Sequence, residues 1–555
     1  MEEIGSLVKL IEQSIIENWS GDAMTDYQGI TLQYNDVARK IEKCHILFEQ
    51  SGIKPGDKIA LCGRNSVSWG VVFLASITYR AVVVPILHEF KADNIHAIIN
   101  HSEARLLFVG DRVWENLNEE NMPNLEGILH LANFEPIIDR TGKLTKTFNH
   151  LNELFGKKFP CKFRKEHVNY IKEDEPNQLA LINYTSGTTG YSKGVMLPYR
   201  SLVSNIYYCQ RMIGLKPGDH MISILPLGHV FGMTYDLLYG LSTGAHIHFL
   251  TRMPSPKIIM QSFLEIKPRV ISTVPLIVEK TIKKSVLPQL DNPLGRLLLK
   301  LPIISDVIKT RAREVAIKAF GGEFEEIIIG GAPFNPEIES FLKQIEFPYT
   351  IGYGMTECGP IICHARWEDL KLFSCGRAAD RMEVKITSPD PANIPGEIIC
   401  RGTNVMLGYY KNPEATNQII DKDGWLHTGD LATMDHEGNV TIKGRSKNLL
   451  LTSSGQNIYP EEIESKLNNM PYVSESLIVL QNEKLVALIY PEFDEAYANG
   501  LLQQDIEVAM EQNRITLNEN LPRFAQIAKV KIYPEEFEKT AKRSIKRFLY
   551  QEAKG

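Results

Sequence analysis

Apolar positions along the first 350 residues fall into two alternating textures. Short, nearly uninterrupted apolar runs alternate with stretches whose apolar residues recur at helical spacing. Residues 58–62 (Lys-Ile-Ala-Leu-Cys) predict a buried strand, 66–79 a helix, and 81–85 (Ala-Val-Val-Val-Pro) a second strand. Residues 71–87 form the longest apolar region, but Tyr79 and Arg80 interrupt it, so it predicts a core helix running into a strand and not a membrane span. Residues 179–183 (Leu-Ala-Leu-Ile-Asn) predict another strand, as do 326–330 (Glu-Ile-Ile-Ile-Gly), after which Pro336 opens a helical pattern over 337–344. Alternation of this kind argues for parallel α/β layers, and in open sheets of that class ligands bind beyond the carboxyl ends of the strands.

Past about residue 380 the pattern changes to short alternating strands and turns, as at 396–402 and 439–443, which predicts a small β-rich unit. A polar, glycine-bearing stretch at 445–455 then has the character of a hinge. Beyond it, residues 460–467 predict a helix and 475–490 two strands, a block large enough to be a domain of its own. The expected division is 1–444 and 445–555.

A chain of 555 residues exceeds what one core serves, and its 43% hydrophobic and 23% charged residues are those of a globular protein. The net charge of −6, without a basic tail or a basic stripe interleaved with aromatics, makes nucleic acid a poor partner. Residues 280–318 are the exception, with nine Lys/Arg against three Asp/Glu among apolar clusters. They admit weak contact with an anionic membrane surface, though a solvated helix face is the commoner meaning of such a pattern. Eight cysteines without a Cys-x-x-Cys pair predict reduced thiols, and the acidic, amphipathic first 16 residues do not resemble an export signal. The expected location is cytoplasmic, with a peripheral position at the inner membrane face left open by the basic stretch.

The segment richest in chemistry is Tyr184-Thr-Ser-Gly-Thr-Thr-Gly-Tyr-Ser-Lys-Gly-Val-Met-Leu197. It places hydroxyls, glycines that let backbone amides approach an anion, and the cation Lys193 directly after a strand, a combination suited to phosphate. It is not the phosphate loop of common nucleotide hydrolases, which needs Gly-Lys-Ser/Thr in succession, because Ser192 and Gly194 flank Lys193. The full string resembles the signature loop of the adenylate-forming superfamily, which includes acyl-CoA synthetases, luciferases and peptide-synthetase adenylation domains.

Further segments resemble that superfamily in the same order: Leu225-Pro-Leu-Gly-His-Val-Phe-Gly232, Gly330-Gly-Ala-Pro333, Gly352-Tyr-Gly-Met-Thr-Glu357, Asp423-Gly-Trp-Leu-His-Thr-Gly-Asp430 and Gly444-Arg-Ser-Lys447. The resemblance implies a large N-terminal domain of two α/β layers plus a small β-barrel, and a small mobile α+β C-terminal domain. It implies ATP contacts from Thr185, Ser186, Gly187, Thr188, Thr189, Gly190, Lys193, Gly331, Ala332, Pro333, Tyr353, Gly354, Met355, Thr356, Asp430 and Arg445. Lys193, Thr356 and Glu357 would carry the catalytic work, with Glu357 the Mg2+ ligand. His229, Val230, Phe231 and Gly330 would border the acyl group, and Met233 is a further apolar candidate. Lys447 would be the hinge, and Ser453, Ser454 and Gly455 would face coenzyme A. The residue types suit these tasks: a flat ring for a base, a hydroxyl for phosphate, a hard carboxylate for magnesium, a carboxylate for ribose hydroxyls.

At one point the chain departs from the family pattern Thr-x-x-Gly-Lys-Ile-x-Arg. Thr540, Ile545 and Arg547 hold the register, but Arg543 replaces the glycine and Ser544 replaces the lysine expected to bridge the substrate carboxylate and α-phosphate. Lys542, Arg543 and Lys546 are the long cations within reach of that position. The resemblance implies ATP-dependent ligation of a fatty acid, long-chain by likeness to bacterial long-chain ligases, to coenzyme A. Two alternatives stand beside it: a carrier-protein thiol as acceptor, or a nucleotide-binding protein weakened by Ser544.

Overall fold

The computed structural model describes residues 5–170, 175–185, 193–251, 256–290, 306–451, 456–540 and 545–551. Two large sheets organise the N-terminal part. The first runs in the order Gly408–Tyr409, Lys193–Pro198, Leu179–Thr185, Val82–Ile86, Lys58–Cys62, Ala104–Val109, Gly127–His130 and Pro136–Asp139. Its five central strands are parallel and its flanks antiparallel. The second has nine strands, with a parallel centre formed by Asp22–Asp26, His246–Phe249, His220–Ser223, Val270–Thr273, Glu326–Gly330 and Tyr349–Gly354 in that spatial order.

The helix Val67–Thr78 is buried on nearly every face. It reads apolar all round because it lies between layers, with Trp69 stacked on Phe73 and Ser66 capping its first turn. Tyr34, Phe48, Phe73, Leu237 and Phe249 belong to the same continuous core, so the two sheets share one interior.

The small β-unit is a four-stranded antiparallel sheet ordered Met382–Thr387, Gly396–Gly402, Leu426–Met434 and Val440–Arg445. Among the described residues its first and last strands are not paired with each other. The last strand leads through the turn Ser446–Asn448 into a C-terminal block with its own core, built from the helices Pro460–Leu467 and Gln503–Glu519 against the strands Val473–Gln481, Lys484–Pro491 and Lys529–Ile532.

The basic stretch divides by face. Ile282, Val286, Ala312 and Ala316 are buried in the core beneath it. Lys283 donates to the Asn469 carbonyl at 3.0 Å and Lys284 pairs with Glu495 at 3.4 Å, so two of its cations meet the C-terminal block. No described helix is long and apolar enough to cross a membrane.

Candidate active site

The expected phosphate segment is flanked by two paired strands. Leu179–Thr185 and Lys193–Pro198 are antiparallel neighbours with Thr185 directly opposite Lys193, so these two residues are the posts between which residues 186–192 run. Ser186, Gly187, Thr188, Thr189 and Gly190 lie outside the described residues.

Lys193 lies 4.8 Å from the ring centroid of Tyr409, and the Tyr409 hydroxyl donates to Glu357 Oε1 at 2.9 Å. The Gly408–Tyr409 strand pairs with Lys193–Pro198, and the Met406 amide bonds the Glu357 carbonyl at 2.9 Å, so backbone as well as side chains fix this contact. Tyr409 therefore joins the expected cation to the expected metal ligand. Sequence reasoning missed it: an aromatic pair after Gly408 carries no spacing signal, and its role appears only once the strand docks beside Lys193.

The two segments expected around the nucleotide are brought side by side because Glu326–Gly330 and Tyr349–Gly354 are adjacent parallel strands with Gly330 opposite Gly352. Gly331, at φ +89°, turns the chain away in the left-handed region, leaving Gly331, Ala332 and Pro333 exposed at the carboxyl end of the sheet. A Cβ on Gly354 would lie 2.1 Å from the Pro360 carbonyl oxygen, so the backbone passes there only as glycine. Met355 bonds the same carbonyl through its amide at 2.9 Å, and Thr356 and Glu357 follow, both largely buried, in a short helical turn.

Tyr353 donates to Asp430 Oδ2 at 2.7 Å, and Arg445 Nε stands 2.8 Å from Asp430 Oδ1. The register Asp430↔Arg445 in neighbouring strands sets that pair. The Asp430 side chain is 8% exposed and that of Arg445 56%, so the carboxylate is the sheltered partner. Burial holds Asp430 above the ordinary carboxylate range, opposed by Arg445 and Tyr353, while Glu357 pushes in the same direction as burial. Glu357 and Asp430 thus feel each other's charge, and Arg445 acts electrostatically on Tyr409. Lys193, Tyr409, Glu357, Asp430, Tyr353 and Arg445 form one constellation.

The expected acyl segment begins on a pinned loop. Asn65 donates to the Leu225 carbonyl at 2.7 Å and accepts from the Leu227 amide at 2.9 Å, and Asn183 donates to the Gly228 carbonyl at 2.9 Å. His229 Nδ1 accepts from the Phe231 amide at 3.2 Å and caps the helix that follows. Val230 and Met233 are fully buried in the core, whereas Phe231 is part-exposed and reaches the nucleotide strands: a Cβ on Gly330 would lie 3.2 Å from its ring. Phe231 and Gly330 are therefore in contact across the two segments.

Lys447 is exposed in the turn linking the two parts. Ser453, Ser454 and Gly455 lie outside the described residues, as do Lys542, Arg543 and Ser544. The flanks of the divergent motif are described. Lys539 and Ile545 form an antiparallel bridge, Lys546 pairs with Glu538, and Arg547 grips Glu464 through two bonds of 2.7 and 2.6 Å. Arg547 thus ties the motif to the helix Pro460–Leu467, and Lys546 has an acidic partner on the stem.

The donor set suits magnesium and a nucleotide. Mg2+ is commonly held by one or two carboxylates plus phosphate oxygens and water, and Glu357 presents a fixed hard oxygen ligand beside the cation Lys193. The fold gathers these residues at the carboxyl end of an open sheet, where sheets of this class bind ligands. The chain belongs to the AMP-binding enzyme family, whose model matches residues 15–410. It is 26% identical to the long-chain-fatty-acid–CoA ligase heimdall of Drosophila melanogaster over 83% of this chain and 71% of that one. It is 27% identical to 4-coumarate-CoA ligase 1 of Narcissus pseudonarcissus over 81% of this chain and 76% of that one. In fold it is similar to the anthranilate CoA ligase AuaEII in complex with anthranoyl-AMP, with a TM-score of 0.77, 19% identity, and coverage of 99% and 97% of the two chains.

Proposed function

We propose that this protein is an AMP-forming ligase that joins a fatty acid to coenzyme A through an acyl-adenylate. The observation that carries the reading is the single constellation in which Lys193 and Glu357 meet through Tyr409 while Tyr353, Asp430 and Arg445 stand beside them. In the first half-reaction a carboxylate oxygen attacks the α-phosphorus of ATP; the new P–O bond forms as the bond to pyrophosphate breaks. Lys193 and Thr356 neutralise and orient the phosphates, Tyr353 faces the base, and Asp430 with Arg445 holds the ribose. Glu357 would hold Mg2+, which supplies positive charge against the phosphate oxygens. In the second half-reaction the coenzyme A thiol loses its proton to solvent and attacks the acyl carbon, forming the C–S bond as the acyl C–O bond to the phosphate breaks and AMP leaves. We place the division between the moving parts at residues 444 and 445, with Lys447 in the turning segment and 453–455 toward coenzyme A.

Fatty acid is the proposed substrate because the apolar Phe231–Gly330 junction offers a greasy wall beside the nucleotide, and because the relatives include a long-chain ligase. The likeness to a 4-coumarate ligase makes an aryl acid the competing substrate. The test is AMP release with ATP, Mg2+ and coenzyme A across a panel of acids from short to long, with 4-coumarate and anthranilate included. Highest kcat/KM for a long saturated acid supports the proposal, and preference for an aryl acid overturns it. Exchange of coenzyme A for an acyl carrier protein decides the acceptor, and nucleotide binding without AMP from any acid would make this a binding protein.

A further inference from the structure

Three imidazoles meet at the end of the nine-stranded sheet opposite the nucleotide site. His220 opens the strand His220–Ser223, and His246 opens its parallel neighbour His246–Phe249 with His248 two residues on. The register pairs His220 with His246 and Ile222 with His248, and side chains two apart on a strand share a face, so all three rings project to one side. The ring centroids of His246 and His248 are 4.1 Å apart, and each is 5.1 Å from that of His220. His220 Nδ1 lies 2.9 Å from His248 Nε2, and one nitrogen from each ring lies within 4.8 Å of the other two.

We propose that His220, His246 and His248 bind one divalent transition-metal ion of the zinc class. Imidazole nitrogens about 2.0–2.1 Å from a tetrahedral ion stand roughly 3.4 Å from one another, a spacing that lies between the 2.9 Å of His220 Nδ1 to His248 Nε2 and the 4.8 Å within which all three rings offer a nitrogen. Thr25, on the strand beside His246, has its hydroxyl 2.7 Å from His246 Nε2 and 2.8 Å from Thr31, which orients that ring as outer partners of metal-bound histidines do. His220 is exposed and opens onto a depression that Asp219, Lys267, Arg269 and Glu323 also line. The two cations there are already neutralised, Lys267 by Glu323 at 2.6 Å and Arg269 by Glu325 at 3.0 Å, and do not repel an incoming ion. The open side leaves a fourth position to water. Such an ion would cross-link two parallel strands at the end remote from Gly330 and Gly352, so its role is to fix the sheet.

The test uses the full-length, tag-free protein after removal of metals, titrated with Zn2+ by calorimetry and with Co2+ by visible absorption. The wild type is expected to take one ion with an affinity on the order of micromolar or tighter, and its melting temperature is expected to rise with Zn2+. His220→Ala, at an exposed position that folding tolerates, and His248→Ala should each weaken binding at least about tenfold. His220→Ala should leave AMP formation intact. No binding by the wild type at that concentration, or equal binding by wild type and His220→Ala, overturns the proposal and assigns any bound ion to other groups such as the thiols.

Discussion

Replacement of Asp430 by asparagine separates the nucleotide-binding role of that carboxylate from a structural one. The side chain is 8% exposed and bonded to Tyr353 at 2.7 Å and to Arg445 at 2.8 Å. Asparagine preserves shape and one acceptor oxygen, so Tyr353 keeps a partner, while Arg445, more than half exposed, turns to water at little cost. Burial holds the Asp430 carboxyl above its ordinary range, so the native protein takes up this proton at higher pH than the unfolded chain does. The ionised group therefore lowers stability above its native titration point, and stability is regained as pH falls through it; a neutral amide removes that penalty. The melting temperature at neutral pH is expected to equal or exceed that of the wild type. If Asp430 holds the ribose as proposed, ATP by contrast loses a charged acceptor for its hydroxyls. Hydrogen bonds to an ionised group contribute about 1.5–3 kcal/mol each; the loss of one and weakening of another comes to about 2–4 kcal/mol, or about 30- to 1,000-fold in kcat/KM for ATP. Steady-state AMP release at varied ATP, with a thermal melt of the same preparation, measures both. A fall of less than about threefold in kcat/KM would refute the ribose assignment, and a marked drop in melting temperature would make Asp430 a structural residue.

Tyr409→Phe removes the hydrogen bond to Glu357 but keeps the ring beside Lys193, and is expected to lower kcat by about 10- to 100-fold for the ~1.5–3 kcal/mol of a bond to a carboxylate. Tyr409→Leu removes the ring as well and should be worse by a further ~0.5–2 kcal/mol, read from single-turnover pyrophosphate release. If a neighbouring cation takes the place of the lysine absent at Ser544, Lys546 is the weaker candidate because it is already paired with Glu538. Lys542→Ala or Arg543→Ala is therefore expected to slow pyrophosphate release by about 100-fold or more, with Lys546→Ala near wild type, and the reverse order would defeat this choice. Glu326 is buried, accepts the Trp367 amide at 2.8 Å, and is pushed by burial up to about 8. Its raised native value makes the wild type lose about 1.4 kcal/mol per pH unit as pH rises from the ordinary glutamate range to about 8. Glu326→Gln should flatten that slope in urea titrations run across the range.

The layered α/β class was legible in the sequence because buried parallel strands read as apolar runs whatever their neighbours are: 58–62 and 326–330 appear where the pattern puts them, 81–85 is shifted one residue to Val82–Ile86, and 179–183 runs on to Thr185. The helix at 460–467 is likewise marked by local signals, with Pro460 at its start and acidic residues in its first turn. Lys193, Tyr353, Glu357, Asp430 and Arg445 could be nominated because the short segments that carry them resemble those of the adenylate-forming superfamily, and their residue types suit the roles that resemblance implies.

What the sequence alone determined, then, was the set of segments and the chemistry each can offer. Which segments meet was decided by tertiary structure, because pairing between strands hundreds of residues apart depends on sheet order and register, and neither leaves a local signature. Tyr409 became a bridge between Lys193 and Glu357 only when Gly408–Tyr409 added itself to the edge of a strand more than two hundred residues earlier. Likewise, His220 reads as an isolated histidine until the parallel register sets it opposite His246 and brings His248 to the same face.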